Sequence, residues 1–372
     1  MKGLKVCPYG FMIVALFLVI LPPHQAGAAE KLAPLPDPPQ VKPAQAKLGM
    51  YLFFDPRLSG DGAISCASCH DPQKGWANNQ KNDEELSDAY PGSLYFRNAK
   101  SPVNVAFAET VYWDGRLPGK SMLQVHVRDH ITETHFMNMD GRLMQERVKQ
   151  IPLYVKMFKE AWNAEPSFGK IRNSIREYEK TLVSKNVPFD QYLKGDKNTL
   201  SLKAKRGLTL FKGEAGCIRC HNGAMLSDYK PYNLGVPENL KIWSDPFRHF
   251  TLRSFQLAMG IPGFARAEQD VGYYIVSKNE KDVGKFVTPS LREVSRTAPY
   301  MHNGIFKTLE EVIVFHAKGG GPDIKPVSLS KTEVSELVEF LKSLSGDEIK
   351  AARPADMPED YALIEDWYNT RN

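Results

Sequence analysis

An all-α fold built from two related halves is what the sequence predicts, and three observations carry that prediction. One pentapeptide occurs twice, as Cys66-Ala67-Ser68-Cys69-His70 and as Cys217-Ile218-Arg219-Cys220-His221. Each copy follows the same pattern, Ala-Lys-x-Gly-x-x-Leu-Phe, at residues 46–53 and 204–211. Each half also closes on an apolar stripe of helical spacing: Phe168, Ile171, Ile175, Tyr178 and Leu182 in the first, Val334, Leu337, Val338, Leu341 and Leu344 in the second. Stretches that read convincingly as strands are scarce.

The chain opens on Lys2 and Lys5, an apolar run from Phe11 to Leu21, and small residues at Ala26, Gly27, Ala28 and Ala29. That order reads as a secretory signal over residues 1–29. The run is short for a membrane span, which needs about 20 residues, so no stable span is expected after cleavage. Cys7 leaves with the signal, and the remaining four cysteines all belong to the pentapeptides. No disulfide framework is then available.

The Cys-x-x-Cys-His pattern supplies two thiols to join the porphyrin vinyl groups and an adjacent imidazole to ligate iron, so each copy implies one covalently bound haem c. A zinc site would want four protein ligands, and a redox dithiol has no use for the histidine. Cys66, Cys69, Cys217 and Cys220 are therefore the attachment residues, with His70 and His221 as proximal ligands. An entry helix, a haem loop and a closing helix make the plan of a small cytochrome c domain with long loops.

Residues 34–43 are rich in proline and read as an extended arm. Glycine in the repeated octet marks a close approach to another helix. Turn residues at 186–190 and 194–198 break the helical pattern and place a boundary near residue 190. The expected units are an N-terminal cytochrome c domain over 30–190, a C-terminal one over 191–350, and a tail over 351–372 that packs back through Tyr361, Leu363, Ile364 and Trp367. Composition is that of a folded globular protein, 42% hydrophobic and 24% charged. A net charge of +5, lower by two once Lys2 and Lys5 go, is too small to argue for nucleic acid or membrane partners.

More than the haem motifs forms a recognisable set. Leu48 to Ser59 ahead of Cys66, Trp113-Asp114-Gly115-Arg116, Pro289-Ser290-Leu291-Arg292, and Ala298-Pro299-Tyr300-Met301-His302-Asn303-Gly304 occur in that order. From about residue 45 to 345 the chain resembles the bacterial di-haem cytochrome c peroxidases and their MauG-type relatives. The resemblance implies that the N-terminal haem reacts with peroxide and the C-terminal haem handles electrons.

Thr308-Leu309-Glu310-Glu311 has the form of a capping box, so a helix is expected to carry His316 on its apolar face. The resemblance places the second axial ligand of the C-terminal haem here, and His316 takes that role, with Met301 and His302 as competitors. Two imidazoles should leave that haem at a lower potential than a methionine would. On the N-terminal haem, residues 71–96 contain no histidine, so its outer face is expected to be open to peroxide; Tyr90 and Tyr95 are the residues that could occupy it instead.

The resemblance also implies an acid-base group downstream of Trp113. Anchoring on Met137-Asn138 selects His135, and counting without gaps from Trp113 selects Glu133; His126 and His130 are read as surface or structural. Trp113 is placed between the haems as a relay, and Arg116 as a propionate or structural partner. Asn98, with the carbonyls of Thr297 and Pro299, is the implied site of one calcium ion between the domains.

The expected activity is periplasmic reduction of hydrogen peroxide to water, with electrons from a small cytochrome c or a cupredoxin. A homodimer is compatible with this reading. Two alternatives stay open: a MauG-type enzyme that oxidatively modifies a partner protein, and a non-catalytic di-haem electron carrier.

Overall fold

The computed structural model describes residues 31–77, 86, 94–119 and 122–357. The signal segment, Tyr90, and the tail residues Tyr361, Leu363, Ile364 and Trp367 lie outside the described residues. Helix, short 3-10 turns included, makes up 45% of the described residues. The named strands among the described residues are two dipeptides, β1 (Pro231–Tyr232) and β2 (Phe286–Val287), paired antiparallel.

In chain order the helices are α1 Pro43–Phe53, α2 Cys66–Cys69, α3 Met122–Thr132, α4 Gly141–Lys149, α5 Pro152–Trp162, α6 Phe168–Glu179 and α7 Pro188–Leu193. They continue as α8 Leu202–Lys212, α9 Leu240–Ser244, α10 Pro246–Ala258, α11 Tyr274–Ser277, α12 Leu309–Lys318 and α13 Lys331–Lys342. Their starts follow from local chemistry. Proline stands in the first turn of α1, α5, α7 and α10, where its missing N–H costs nothing. Ser201 caps α8, and Thr308 with Glu311 forms the expected capping box on α12.

The internal repeat is physical. A Cβ on Gly49 of α1 would stand 1.9 Å from the Ser174 carbonyl oxygen of α6, and one on Gly207 of α8 would stand 2.0 Å from the Glu336 carbonyl oxygen of α13. Both pairs cross with their backbones in contact, which only glycine permits. One turn on from each crossing, Tyr178 and Phe340 meet the octet phenylalanines, Phe53 at 5.4 Å and Phe211 at 5.0 Å between ring centres. The two closing stripes are buried in these crossings, apart from Phe168 at the edge.

One core spans Leu48 to Leu182 and a second Val187 to Leu344. The chain ends cross over between them. Leu32, ahead of the extended arm, packs into the second core, and Arg292 donates to the Ala33 carbonyl oxygen. Ile349, Ala351 and Met357 return to the first core, where Trp76 donates to the Ile349 carbonyl and Tyr51 to Asp356.

A third core, with no counterpart in the sequence reading, joins Phe96 to Ile242, Leu252, Phe255, Ile261, Val271 and Ile275 around α9–α11. This insertion between β1 and β2 brings Asp270 onto Arg97. Arg97 donates to Asp270 at 2.6 and 2.8 Å and to Asp114 at 2.5 Å, all three side chains being buried.

Candidate functional site

Both pentapeptides open onto one cavity of about 790 Å3, whose wall is mostly apolar. In the first half Cys66 and Cys69 bracket α2, which starts where the Ser65 N–H donates to Ser68 Oγ at 3.0 Å. His70 follows at the helix end, with Nδ1 3.3 Å from the Trp76 carbonyl oxygen. In the second half His221 Nδ1 lies 3.0 Å from the Leu226 carbonyl oxygen. A carbonyl on Nδ1 fixes ring orientation and leaves Nε2 as the metal-binding nitrogen.

His316 stands on α12 with Nδ1 2.8 Å from the Val312 carbonyl oxygen, one turn back, and lines the same cavity. Burial lowers the basicity of all three rings, His221 to about 4, so each is neutral and able to donate a lone pair. Burial pushes the Cys66 thiol up, and the Cys217 thiol up to about 11. Such thiols are not poised redox nucleophiles. Among the described residues no group of three or more His, Cys, Asp or Glu side chains could hold a metal ion. Paired free thiols, an oriented neutral imidazole beside each pair, and apolar walls fit covalent haem at both motifs.

Between the halves the wall is Trp113, Asn98, Lys100 and His302. The Trp113 indole donates to the Asn98 carbonyl at 2.9 Å, and its own carbonyl accepts from the Val287 N–H at 2.8 Å, so it is tied to both halves. Lys100 Nζ sits 4.6 Å over the indole ring. Burial pushes that ammonium down to about 7. His302 stacks on Phe286 at 3.6 Å, and its carbonyl accepts from the Asn98 N–H.

The Asn98 side-chain Nδ2 donates to the carbonyl oxygens of Pro299 at 2.5 Å and Met301 at 3.2 Å. Calcium takes oxygen ligands. As oriented, these residues form a hydrogen-bonded clasp between the halves, not an oxygen cage, and Thr297 joins only as part of the cavity wall.

The two acid-base candidates stand one layer back. His135 Nε2 lies 3.0 Å from Glu133 Oε2 without forming an aligned hydrogen bond, and neither residue lines the cavity. The wall in front of them is Tyr95, stacked on His135 at 5.7 Å, and Phe136, 4.4 Å from it. Burial opposes ionisation of Glu133, but His135 and Arg116 beside it hold its carboxyl below the usual range. Arg116 pairs with Asp114 at 3.0 Å and Glu133 at 3.4 Å, and lies 3.6 Å over the Tyr112 ring.

Two histidines set aside in the sequence do reach the cavity. His126 pairs with Glu179 at 3.1 Å, and both line it. His130 lines it too, its ring centre 6.2 Å from that of His70. The sequence signal that could have found them is their spacing, four residues apart on one helix, which puts both on the face that α3 turns to α6.

Residues 43–198 match the family model described as di-haem cytochrome c peroxidase. The chain is 45% identical over 325 residues to "Cytochrome-c peroxidase IdrP2" of Pseudomonas sp. (strain SCT), covering 87% of each protein. It is 32% identical over 324 residues to "Methylamine utilization protein MauG" of Methylorubrum extorquens, covering 84% of this chain and 82% of the relative. Among solved structures, a MauG-like protein associated with microbial copper homeostasis shares the fold with a TM-score of 0.68 at 24% identity, over 89% of this chain and 97% of the other. With paired thiols and oriented imidazoles on one cavity and relatives matched along most of their length, the chain belongs to the di-haem cytochrome c peroxidase and MauG family, and it is an oxidoreductase of the cytochrome-c peroxidase type.

Proposed function

We propose that this chain reduces hydrogen peroxide to water in the periplasm, taking electrons from a small cytochrome c or cupredoxin. In this reading Cys66, Cys69 and His70 would hold the haem at which peroxide is reduced. Cys217, Cys220, His221 and His316 would hold the haem that takes up electrons. Bound haem supplies the redox chemistry; the chain's residues hold, orient and insulate it.

The observation that carries the proposal is the single cavity shared by both motifs, with Trp113 in the wall and tied to both halves. An indole held there can relay electrons between two haems. Phe136 and Tyr112 give the first half's wall an aromatic face. Because Glu133 and His135 stand behind Tyr95 and Phe136, we assign them a positioning part in proton handling, exerted through Arg116 and Tyr112. Calcium at Asn98 would need the amide turned to present its oxygen, and we give it no part in the reaction.

The test is the purified ferric protein with its two haems, mixed with one equivalent of peroxide and then with reduced cytochrome c. Consumption of two cytochrome equivalents per peroxide, repeated over many turnovers, is the expected result. Oxidation of a partner protein without cytochrome turnover would favour the MauG-type reading, which relatives of both names make the main rival. No response to peroxide at all would leave only an electron carrier.

A further inference from the structure

We propose that His130 is the axial ligand opposite His70, so that both haems rest between two histidines. This rests on haem attachment at Cys66 and Cys69 and does not depend on the peroxidase activity.

The first support is distance. A metal-imidazole bond of about 2 Å, with roughly 1.1 Å more from nitrogen to ring centre on each side, separates two trans imidazoles by about 6.2 Å. The His70 and His130 ring centres are 6.2 Å apart, and both rings line the cavity. An acid-base histidine needs room for peroxide between itself and the iron, and this spacing has none.

The second support is the internal repeat. The crossings at Gly49 and Gly207 make α6 and α13 equivalent, and α3 packs on α6 as α12 packs on α13. His130 is third from the end of α3, which closes at Thr132, and His316 is third from the end of α12, which closes at Lys318. Each ring has Nδ1 2.8 Å from the carbonyl oxygen one turn back, His126 for one and Val312 for the other. His130 therefore holds on α3 the place that His316 holds on α12. The match is conformational: the two helices share no sequence pattern that would have paired these histidines.

The third support is that the ring is held. Phe136 stacks on His130 at 4.4 Å and Tyr112 at 5.7 Å, both nearly parallel to it. The open outer face expected from residues 71–96 is thus filled from a different element. Peroxide would reach the iron only once the His130 ring has swung aside.

The experiment is electron paramagnetic resonance and optical spectroscopy of the ferric holoprotein, with haem content measured on the same sample. Wild type should show both haems low-spin. His130→Ala should convert one haem of the two to high spin, and free imidazole should restore the low-spin signal. A high-spin haem in wild type overturns the proposal, while peroxide turnover in that same sample would leave the peroxidase reading standing. A folded His130→Ala protein with two low-spin haems also overturns it. If the alanine variant is not recovered with two haems, His130→Gln, of similar volume, carries the same comparison.

Discussion

Replacing Arg97 with leucine should cost about 3–5 kcal/mol, the penalty for stranding a buried charge. Arg97 is buried beneath Phe96 and Phe255, and among the described residues it is the cation paired with Asp270, which also receives the Gly272 N–H. Asp114 keeps Arg116 at 3.0 Å, so the stranded group is Asp270. Removing both charges with Arg97→Leu and Asp270→Leu should recover most of the loss, since an apolar replacement of a buried pair is often neutral.

The pH dependence has a definite sign. Burial would raise the Asp114 and Asp270 carboxyls, but Arg97, with Arg116 beside Asp114 and with His302 and the Gly272 N–H beside Asp270, more than offsets this and holds both below the usual range. Their contribution is complete above an unfolded pKa near 3.9 and is lost as pH falls through the folded values. In Arg97→Leu the Asp270 shift reverses, because burial acts without the cation, so the variant loses stability as pH rises and the gap to wild type narrows in acid. Guanidinium unfolding of the holoproteins at pH 7 and 4.5, followed by circular dichroism, measures both effects. A single variant within 1 kcal/mol of wild type, or a double variant as unstable as the single, would refute the argument.

Gly207→Ala should gain about 1 kcal/mol of helix propensity and lose several to backbone overlap at Glu336, for a net destabilisation of at least about 2 kcal/mol. Gly49→Ala should behave alike, and thermal melts compare them with an uncrowded helical control such as Gly169→Ala, whose Cβ meets nothing within 4 Å. His316→Ala should convert the C-terminal haem from low to high spin and slow reduction by cytochrome c more than tenfold; an unchanged spectrum would assign the ligand elsewhere. Replacing Glu133 and His135 together by glutamines should slow the first reaction with peroxide by less than tenfold in stopped-flow, because neither lines the cavity. A hundredfold loss would restore them as direct acid-base groups.

Legibility in the sequence followed the range of the interactions. The octets, the closing stripes and the capping box at Thr308 are local patterns, and each appears where its spacing put it. The attachment cysteines and their histidines are likewise contiguous, so their chemistry could be read from five residues. The insertion α9–α11 was not legible, because its value lies in a pairing over 173 residues, Arg97 with Asp270, which no local pattern announces. The chain ends exchanging halves is hidden for the same reason.

At the first haem motif the local reading and the internal repeat point to different elements. Reading residues 71–96 for a histidine assumed that the outer face is served by the loop next to the motif, and finding none suggested an open site. The second half already contradicted that assumption, since its candidate ligand, His316, lies far downstream on a helix. Applied consistently, the internal repeat directs the search to the helix packed on α6 and not to the adjacent loop. That helix is α3, and the only histidines on it are His126 and His130. His126 is taken by Glu179. A duplicated fold thus constrains its two sites through shared packing even where the intervening sequence has diverged, and the crossing glycines are the landmarks that make the two halves comparable.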